Sequence, residues 1–527
     1  MDFSYKKSGT VFNMHSYWTK QPIDPIKFFI EKNTNVGDVV YDPFSGTGMT
    51  GVASILTNRR CILNDLSCVS THIAKGYCTN FKAQKNAFEL LDLKNKILNP
   101  LKKYYSTTCT SCDKEACIRF GVVSEIWQSK DGSIEEDRGD MMLKYESSKF
   151  TKGFIFKEFR LIKICYKCSC SKEKRYKTPD KADLLLWSTE DYKKFFYPKD
   201  NFFGQEPKRN YKKGIRQVYQ LYSPKNLTVL SQIFDSINKI ADKNTKQLFL
   251  FVFTSILFNS SLMSRYRDYE NTSIKMGTFY IAPVIKDTNV INNFESKFLN
   301  IIKGNSEIFK NGYDFEVNFF TESADNVPSI KNDSVDYIYT DPPYSDILNY
   351  SELNIVYEAW LGKKTNNSRE MIVNKEQGLS IETYAKQFEQ FFLECYRVLK
   401  NNKIITLVFH HPNIDHWRYI QKAIINSNFE PIISDEPIRL ISNSKTSSQH
   451  QTKKNTQCFL IFNFKKNNKQ KIFELKKINS ETDLKNIINE AKLNAEKAGF
   501  FGKADMFDYI INYLIFRYEI VDFTNLL

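Results

Sequence analysis

Apolar and polar positions change period several times along the chain. An apolar run at Asp38–Tyr41 leads into Asp42-Pro43-Phe44-Ser45-Gly46-Thr47-Gly48; helical spacing follows over Met49–Leu56, and a second strand-like run, Arg60–Asn64, ends on Asp65. Strand, tight turn, helix, strand is the opening of a parallel α/β sheet. The rhythm returns near Tyr313, where runs at Phe315–Thr321, Val335–Thr340, Lys403–Phe409 and Cys458–Phe464 predict strands and Tyr384–Leu399 predicts a helix. Residues from about 101 to 310 do not keep this rhythm. They pass from paired cysteines through a basic, aromatic stretch to a helical pattern, in which Ser223 is the expected N-cap and Leu227, Leu230, Ile233 and Ile237 form one face. A basic link (KKNNKQK) then leads to a helical tail. There Ser480 with Asp483 resembles a capping box, Leu484, Ile487, Ile488 and Ala491 share a face, and Gly499 is placed to end the helix.

The pattern predicts a sheet domain in two parts, 1–100 and 311–465. Insertions at 101–178 and 179–310 separate them, and a helical tail, 466–527, follows. A chain of 527 residues has room for two or three cores, and with 42% apolar residues it should fold. The longest apolar stretch, near Leu248–Phe258, is shorter than the roughly 20 residues a membrane span needs. Met1–Thr10 has no apolar signal-peptide core, so a cytoplasmic protein of prokaryotic type without a membrane is expected. Eleven cysteines in so long a chain point to reduced thiols or metal ligands, not to a disulfide scaffold.

Charge sharpens the picture of the insertion. The formal net charge is +15, and residues 151–225 hold 19 basic against 8 acidic side chains, so that stretch supplies +11. It also holds 15 aromatics, in runs such as KRNYKKGIRQVYQLY. Basic groups neutralise phosphates and aromatic faces stack on bases, which makes Lys212, Lys213 and Arg216 candidate contacts to double-stranded DNA. A solvated basic face over an aromatic core has the same composition, so the chemistry elsewhere must decide.

Two motifs carry that chemistry. In Asp42–Gly48 the glycines let the backbone turn sharply and leave room for a ligand at the next helix, while Asp65 is placed to accept hydrogen bonds from ribose hydroxyls. A third dinucleotide-type glycine and a GK[ST] motif are both absent, which argues against dinucleotide and P-loop readings. The second motif is Asp341-Pro342-Pro343-Tyr344, just past an apolar strand. Its prolines stiffen the loop and cannot donate, so it presents a carboxylate, backbone carbonyls and an aromatic ring to an aromatic amine. Either motif alone would read as a structural turn.

DPFSGTG is similar to the cofactor motif of amino-methylating DNA methyltransferases, and DPPY is similar to their catalytic motif. SPKNLTVL, NSSLMSRY…GTFYIAP, TESADNVPSIKNDSVDYIYTDPPYSDILNYSELNIVYEAWLG and ECYRVLKNNKIITLVFHHP resemble the adenine-specific DNA methylases that contain a zinc ribbon, over about 10–100 and 220–465. Cofactor motif first and DPPY later is the order of the α group. The resemblance implies an α/β fold, the class I S-adenosylmethionine-dependent methyltransferase sheet, here with a large insertion. It implies S-adenosylmethionine held by Asp42 to Gly48 and Asp65, with Asp325 the best match to the adenine-contacting position. Catalysis falls to Asp341, Pro342, Pro343 and Tyr344 on a flipped adenine. Lys20-Gln21-Pro22 resembles the segment beside the cofactor's methionine end. The insertion comes earlier than the group's usual target-recognition domain, which leaves open which segment reads DNA.

Cys109-Thr-Ser-Cys112 and Cys165-Tyr-Lys-Cys168 are two CxxC knuckles suited to tetrahedral zinc, with Cys117 and Cys170 as substitutes for either pair; the resemblance favours a structural ribbon. His410-His411, Cys395 and Cys458 read as structural. The expected activity is N6-adenine methylation of DNA in restriction–modification or another defence system, with a cognate endonuclease or other defence subunits as candidate partners. Cytosine-N4 methylation uses the same loop chemistry, RNA or a glutamine side chain are further targets of such loops, and a DNA-binding subunit with a dead site is the alternative from another class.

Overall fold

The computed structural model describes residues 1–5, 9–81, 87–139, 153–267, 274–313, 315–442, 458–467 and 475–521. The later part of the KKNNKQK link lies outside the described residues.

The chain opens with strands β1 (Asp2–Tyr5), β2 (Val39–Asp42) and β3 (Arg60–Asn64). After the insertion come β10 (Val317–Phe320), β11 (Val335–Thr340), β12 (Leu399–Phe409), β13 (Phe429–Ile432), β14 (Ile438–Ser442) and β15 (Cys458–Lys466). These nine strands form one sheet in the order β1-β14-β15-β12-β11-β2-β3-β10, with β13 on β15. The run β12-β11-β2-β3-β10 is parallel throughout, and β15 is antiparallel to its neighbours. All six β11 residues are buried, as expected of a central strand covered on both faces.

The parallel register fixes the position of both motifs. Tyr337 pairs with Val40 and Ile338 with Tyr41, so β11 and β2 finish at one level. Asp42 is the last residue of β2, Asp341 follows β11 and Asp65 follows β3. The two motifs, almost 300 residues apart, therefore meet at the carboxyl edge of the sheet, where open α/β sheets bind ligands.

The insertion builds a second, six-stranded sheet from β4 (Ser106–Thr108), β5 (Glu115–Ser129), β6 (Glu135–Asp137), β7 (Phe154–Lys167), β8 (Arg175–Lys177) and β9 (Val284–Thr288). Every pairing in it is antiparallel. Because β9 pairs with β5, the two stretches read separately from the sequence share this sheet.

Three insertion helices, Pro224–Asn238, Lys243–Ile256 and Val290–Ile308, join the same apolar core as the first part of the main sheet. Phe251 lies so close to Gly76, on the helix Cys68–Cys78, that a Cβ there would meet its ring at 2.1 Å. The tail helices Glu481–Lys497 and Lys503–Leu514 bury Ile488, Ala491, Ile510 and Leu514 in a second core with Trp417, Phe462 and Phe464. Ser480 accepts from the Asp483 backbone N–H at 3.0 Å, and Gly499 has φ +88°. Among the described residues no helix is long and apolar enough to cross a membrane.

Candidate active site

Both motifs line one cavity at the carboxyl edge of the sheet, together with Tyr17, Thr19, Lys20, Gln21, Asp65, Asp325, Tyr350, Asn354 and the segment Arg369–Met371. The glycine turn begins on Asp42, whose carboxylate accepts from Thr50 Oγ1 at 2.5 Å and from the Phe44 N–H at 3.1 Å. Gly46 and Gly48 have φ +48° and +78°. A Cβ on Gly48 would come within 2.9 Å of Ala74, whereas one on Gly46 would meet nothing closer than 4.0 Å. Gly48 therefore lets two helices pack, and Gly46 supplies the turn. The Gly46 N–H donates to Asp65 Oδ2 at 2.9 Å and the Ser67 N–H to Oδ1 at 2.8 Å, which aims the Asp65 carboxylate across the turn. Phe44 packs edge-on against Phe391, their centroids 5.0 Å apart.

In the second motif the Tyr344 hydroxyl and the Gln21 amide donate to the two oxygens of Asp341. The Tyr384 hydroxyl donates to the Pro343 carbonyl at 3.0 Å and holds the turn. The Tyr344 ring rests on Phe409 and Phe459, at 5.3 and 5.6 Å between centroids. The next residue, Ser345, is left-handed at φ +56°, and His416 Nε2 meets its hydroxyl at 2.7 Å.

His411 stacks on His416 at 3.5 Å and faces Asp346 at 3.3 Å. Ligand atoms of Asp346, His411 and His416 lie within 4.8 Å of one another, but rings stacked face to face direct their lone pairs side by side rather than at one point. The trio braces the loop from behind. His410 packs edge-on against Phe459.

Burial in the cavity raises three carboxyls, Asp42 to about 7 and Asp65 and Asp341 each to about 6. Hydrogen bonds oppose the shift in each case. Among the described residues the ion pairs include no cation on any of the three. The cations nearby are engaged: Lys20 donates to the carbonyls of Phe12 and His15, and Arg369 pairs with Asp325 at 2.7 Å. Three carboxyls without a counter-ion make the cavity fit a cationic ligand.

Sequence reasoning missed Asn354 and its partners, which tie the walls of this cavity together. Asn354 accepts from Trp18 Nε1 at 2.8 Å and donates to Tyr17 at 3.1 Å and Ser67 at 3.2 Å. It ties together three segments remote in sequence. Its place in SELNIVYEAWLG and the polar, aromatic lead-in FNMHSYW were the available signals.

Two expectations need correction. Four sulfurs do converge, but they belong to Cys109, Cys112, Cys168 and Cys170. Cys165 instead points into a separate apolar cluster with Phe120, Val122 and Val284. Cys165 lies within β7, where pairing with Phe120 fixes the direction of its side chain, whereas Cys168 and Cys170 follow the strand and can turn back. Cys117 is outside the quartet. The Cys109–Cys170 and Cys112–Cys168 sulfurs are 3.7 and 3.6 Å apart. Those spacings are near the edge, about 3.8 Å, of a tetrahedron with the usual Zn–S bond of about 2.3 Å.

The second correction concerns Lys213. Its side chain is 9% exposed, paired with buried Glu125, and donates to the Ile281 carbonyl at 3.1 Å. Lys212 and Arg216 are exposed, over the rings of Trp127 and Tyr211. Cys395 and Cys458 are buried in the core, as expected.

The family described as DNA methylase matches residues 3–82 and 335–503, which include both motifs. The type II methyltransferase M.MjaII of Methanocaldococcus jannaschii is 20% identical over 373 residues, 66% of this chain. The match spans 61% of that relative's length.

Proposed function

The chain belongs to the DNA methylase family through residues 3–82 and 335–503, and on that premise we propose that it transfers a methyl group from S-adenosylmethionine to the N6 amino group of adenine in DNA. The observation that carries the reading is the meeting of Asp341 with Asp42 and Asp65 in one cavity, where none of these three carboxyls has a cationic partner among the described residues. S-adenosylmethionine would fit these carboxyls through its positive charge and would supply an electrophilic methyl group, whose bond to sulfur breaks, leaving the electron pair on sulfur, as the amine's lone pair takes the methyl carbon. Asp65 offers lone pairs for the ribose hydroxyls, Asp42, Phe44, Ser45, Gly46 and Thr47 wall the remainder, and Pro43 and Gly48 shape the turn behind them. Asp325, turned toward Arg369, flanks the adenine end.

Adenine's amino nitrogen is a poor nucleophile because its lone pair is delocalised into the ring. The Asp341 carboxylate and the Pro342 carbonyl accept its two hydrogens and draw it toward tetrahedral geometry, so catalysis is positioning and electrostatics. The Tyr344 hydroxyl must release Asp341 to free one acceptor, and its ring then stacks on the flipped base, returning about 1–3 kcal/mol of the cost of unstacking. Pro343 keeps the loop rigid. The surplus proton leaves to water or, transiently, to Asp341. The Cys109, Cys112, Cys168 and Cys170 quartet holds one structural zinc ion, and Lys212 and Arg216 contact DNA phosphates. A restriction–modification role is the biological setting, supported by the name of the type II relative.

The test is product analysis. DNA treated with the protein and S-adenosylmethionine should yield N6-methyladenine by nucleoside mass spectrometry. Asp341→Ala should bind cofactor and DNA yet turn over about 100-fold or more slowly. N4-methylcytosine as the product would keep the mechanism and overturn the base; wild-type turnover in Asp341→Ala would overturn the mechanism.

A further inference from the structure

We propose that Gln21 is the positioning residue of the catalytic loop, its one side-chain amide both orienting the Asp341 carboxylate and accepting a hydrogen bond from the cofactor's α-ammonium group. This rests on the function proposed above. Gln21 stands before Pro22, the N-cap of the helix Ile23–Asn33, and reaches a partner 320 residues away. Its Nε2 donates to Asp341 Oδ2 while Tyr344 holds Oδ1, so the carboxylate plane is fixed from both sides. The opposite end of the same amide, Oε1, is buried and has no hydrogen-bond partner among the described residues. Its direction is not free to change, because a flipped amide would set oxygen against the carboxylate.

A buried carbonyl without a donor is a standing cost, and the cavity it lines must receive the donor. The target amine's two hydrogens are already assigned to Asp341 and Pro342. The remaining donor is an ammonium, which the neighbouring carboxylates of Asp42, Asp65 and Asp341 also attract. Lys20, next in sequence, turns its ammonium to the Phe12 and His15 carbonyls and does not bond to Oε1. Cofactor binding and the orientation of the catalytic carboxylate thus share one amide.

Two variants separate the two roles. Gln21→Met keeps the shape and loses both ends of the amide. It should weaken S-adenosylmethionine binding about tenfold by calorimetry, the loss of one hydrogen bond to a charged group, and leave 5′-methylthioadenosine, which has no ammonium, unaffected. The acid limb of its turnover profile should also move to higher pH, because the Asp341 carboxylate loses a donor. The other titratable groups around Asp341, namely Tyr344, Tyr350, Asp42 and Asp65, are unchanged in the variant.

Gln21→Glu keeps an acceptor for the ammonium but sets a second carboxylate on Asp341. Cofactor affinity should hold while the acid limb moves further up. Equal losses for both ligands in Gln21→Met, or an unmoved pH profile in both variants, overturns the assignment. A wild-type protein that binds no S-adenosylmethionine sinks the functional reading and this inference together. A wild type that binds and methylates, with Gln21→Met indistinguishable from it, sinks the inference alone.

Discussion

Asp341 shows how a single residue can be kept in a state that suits function and not stability. Burial lifts its carboxyl from an ordinary 3.8 to about 6, although Tyr344 and Gln21 both donate to it. The folded protein therefore binds more protons than the unfolded chain between those values. The contribution is complete below about pH 4 and is lost as pH rises through about 6. Asp341→Asn removes the ionisation, so it should be more stable than wild type at pH 8, by roughly 3 kcal/mol, with a higher melting temperature and the difference closing toward pH 4. Differential scanning fluorimetry of the cofactor-free pair across that range checks it, and a difference independent of pH would mean the carboxyl is not buried against its charge. Bound S-adenosylmethionine should narrow the gap, since a cation stabilises the ionised form.

At the scale of elements, the end of a strand decides which cysteines meet. Within β7 the pleat assigns Cys165 to the apolar side, and only beyond Lys167 is the chain free to turn Cys168 and Cys170 toward Cys109 and Cys112. The expected outcome is one zinc per chain in protein purified without added metal. Cys165→Ser should keep it and Cys109→Ser/Cys170→Ser should lose it, by elemental analysis. Zinc loss in Cys165→Ser with retention in a Cys170→Ser single variant would restore the two CxxC knuckles as the ligand set. The same logic of element ends operates in the main sheet, where β2, β3 and β11 stop at one level and leave Asp42, Asp65 and Asp341 facing one space.

Across the whole molecule, the insertion is fused to the sheet domain through a shared core, and its basic residues do not all face solvent. Lys212→Glu/Arg216→Glu should weaken DNA binding and flatten its log–log salt dependence by about 0.9 per lost phosphate contact. Lys213→Glu should instead unfold the protein or cost about 3–5 kcal/mol, because it opposes two buried carboxylates, its own and that of Glu125. Denaturation curves and salt titrations of the two variants separate these effects. Equal folding defects in both would mean that Lys212 and Arg216 are structural as well.

The sequence by itself determined six strands of the main sheet, the helix behind the glycine turn, the helical tail and the two motifs, because each is written in a local period or in contiguous residues, whereas the insertion's own sheet was not legible there. Met49–Leu56, Arg60–Asn64 and Val335–Thr340 fall where the pattern puts them. Only the tertiary structure decided what depends on pairing and direction. That includes Gln21 on Asp341, Asn354 as the knot between three segments, the replacement of Cys165 by Cys170 and the burial of Lys213. Spacing along a chain shows which residues can reach one another, but the direction in which a side chain points is set by the strand or helix that carries it and by what packs on the other side.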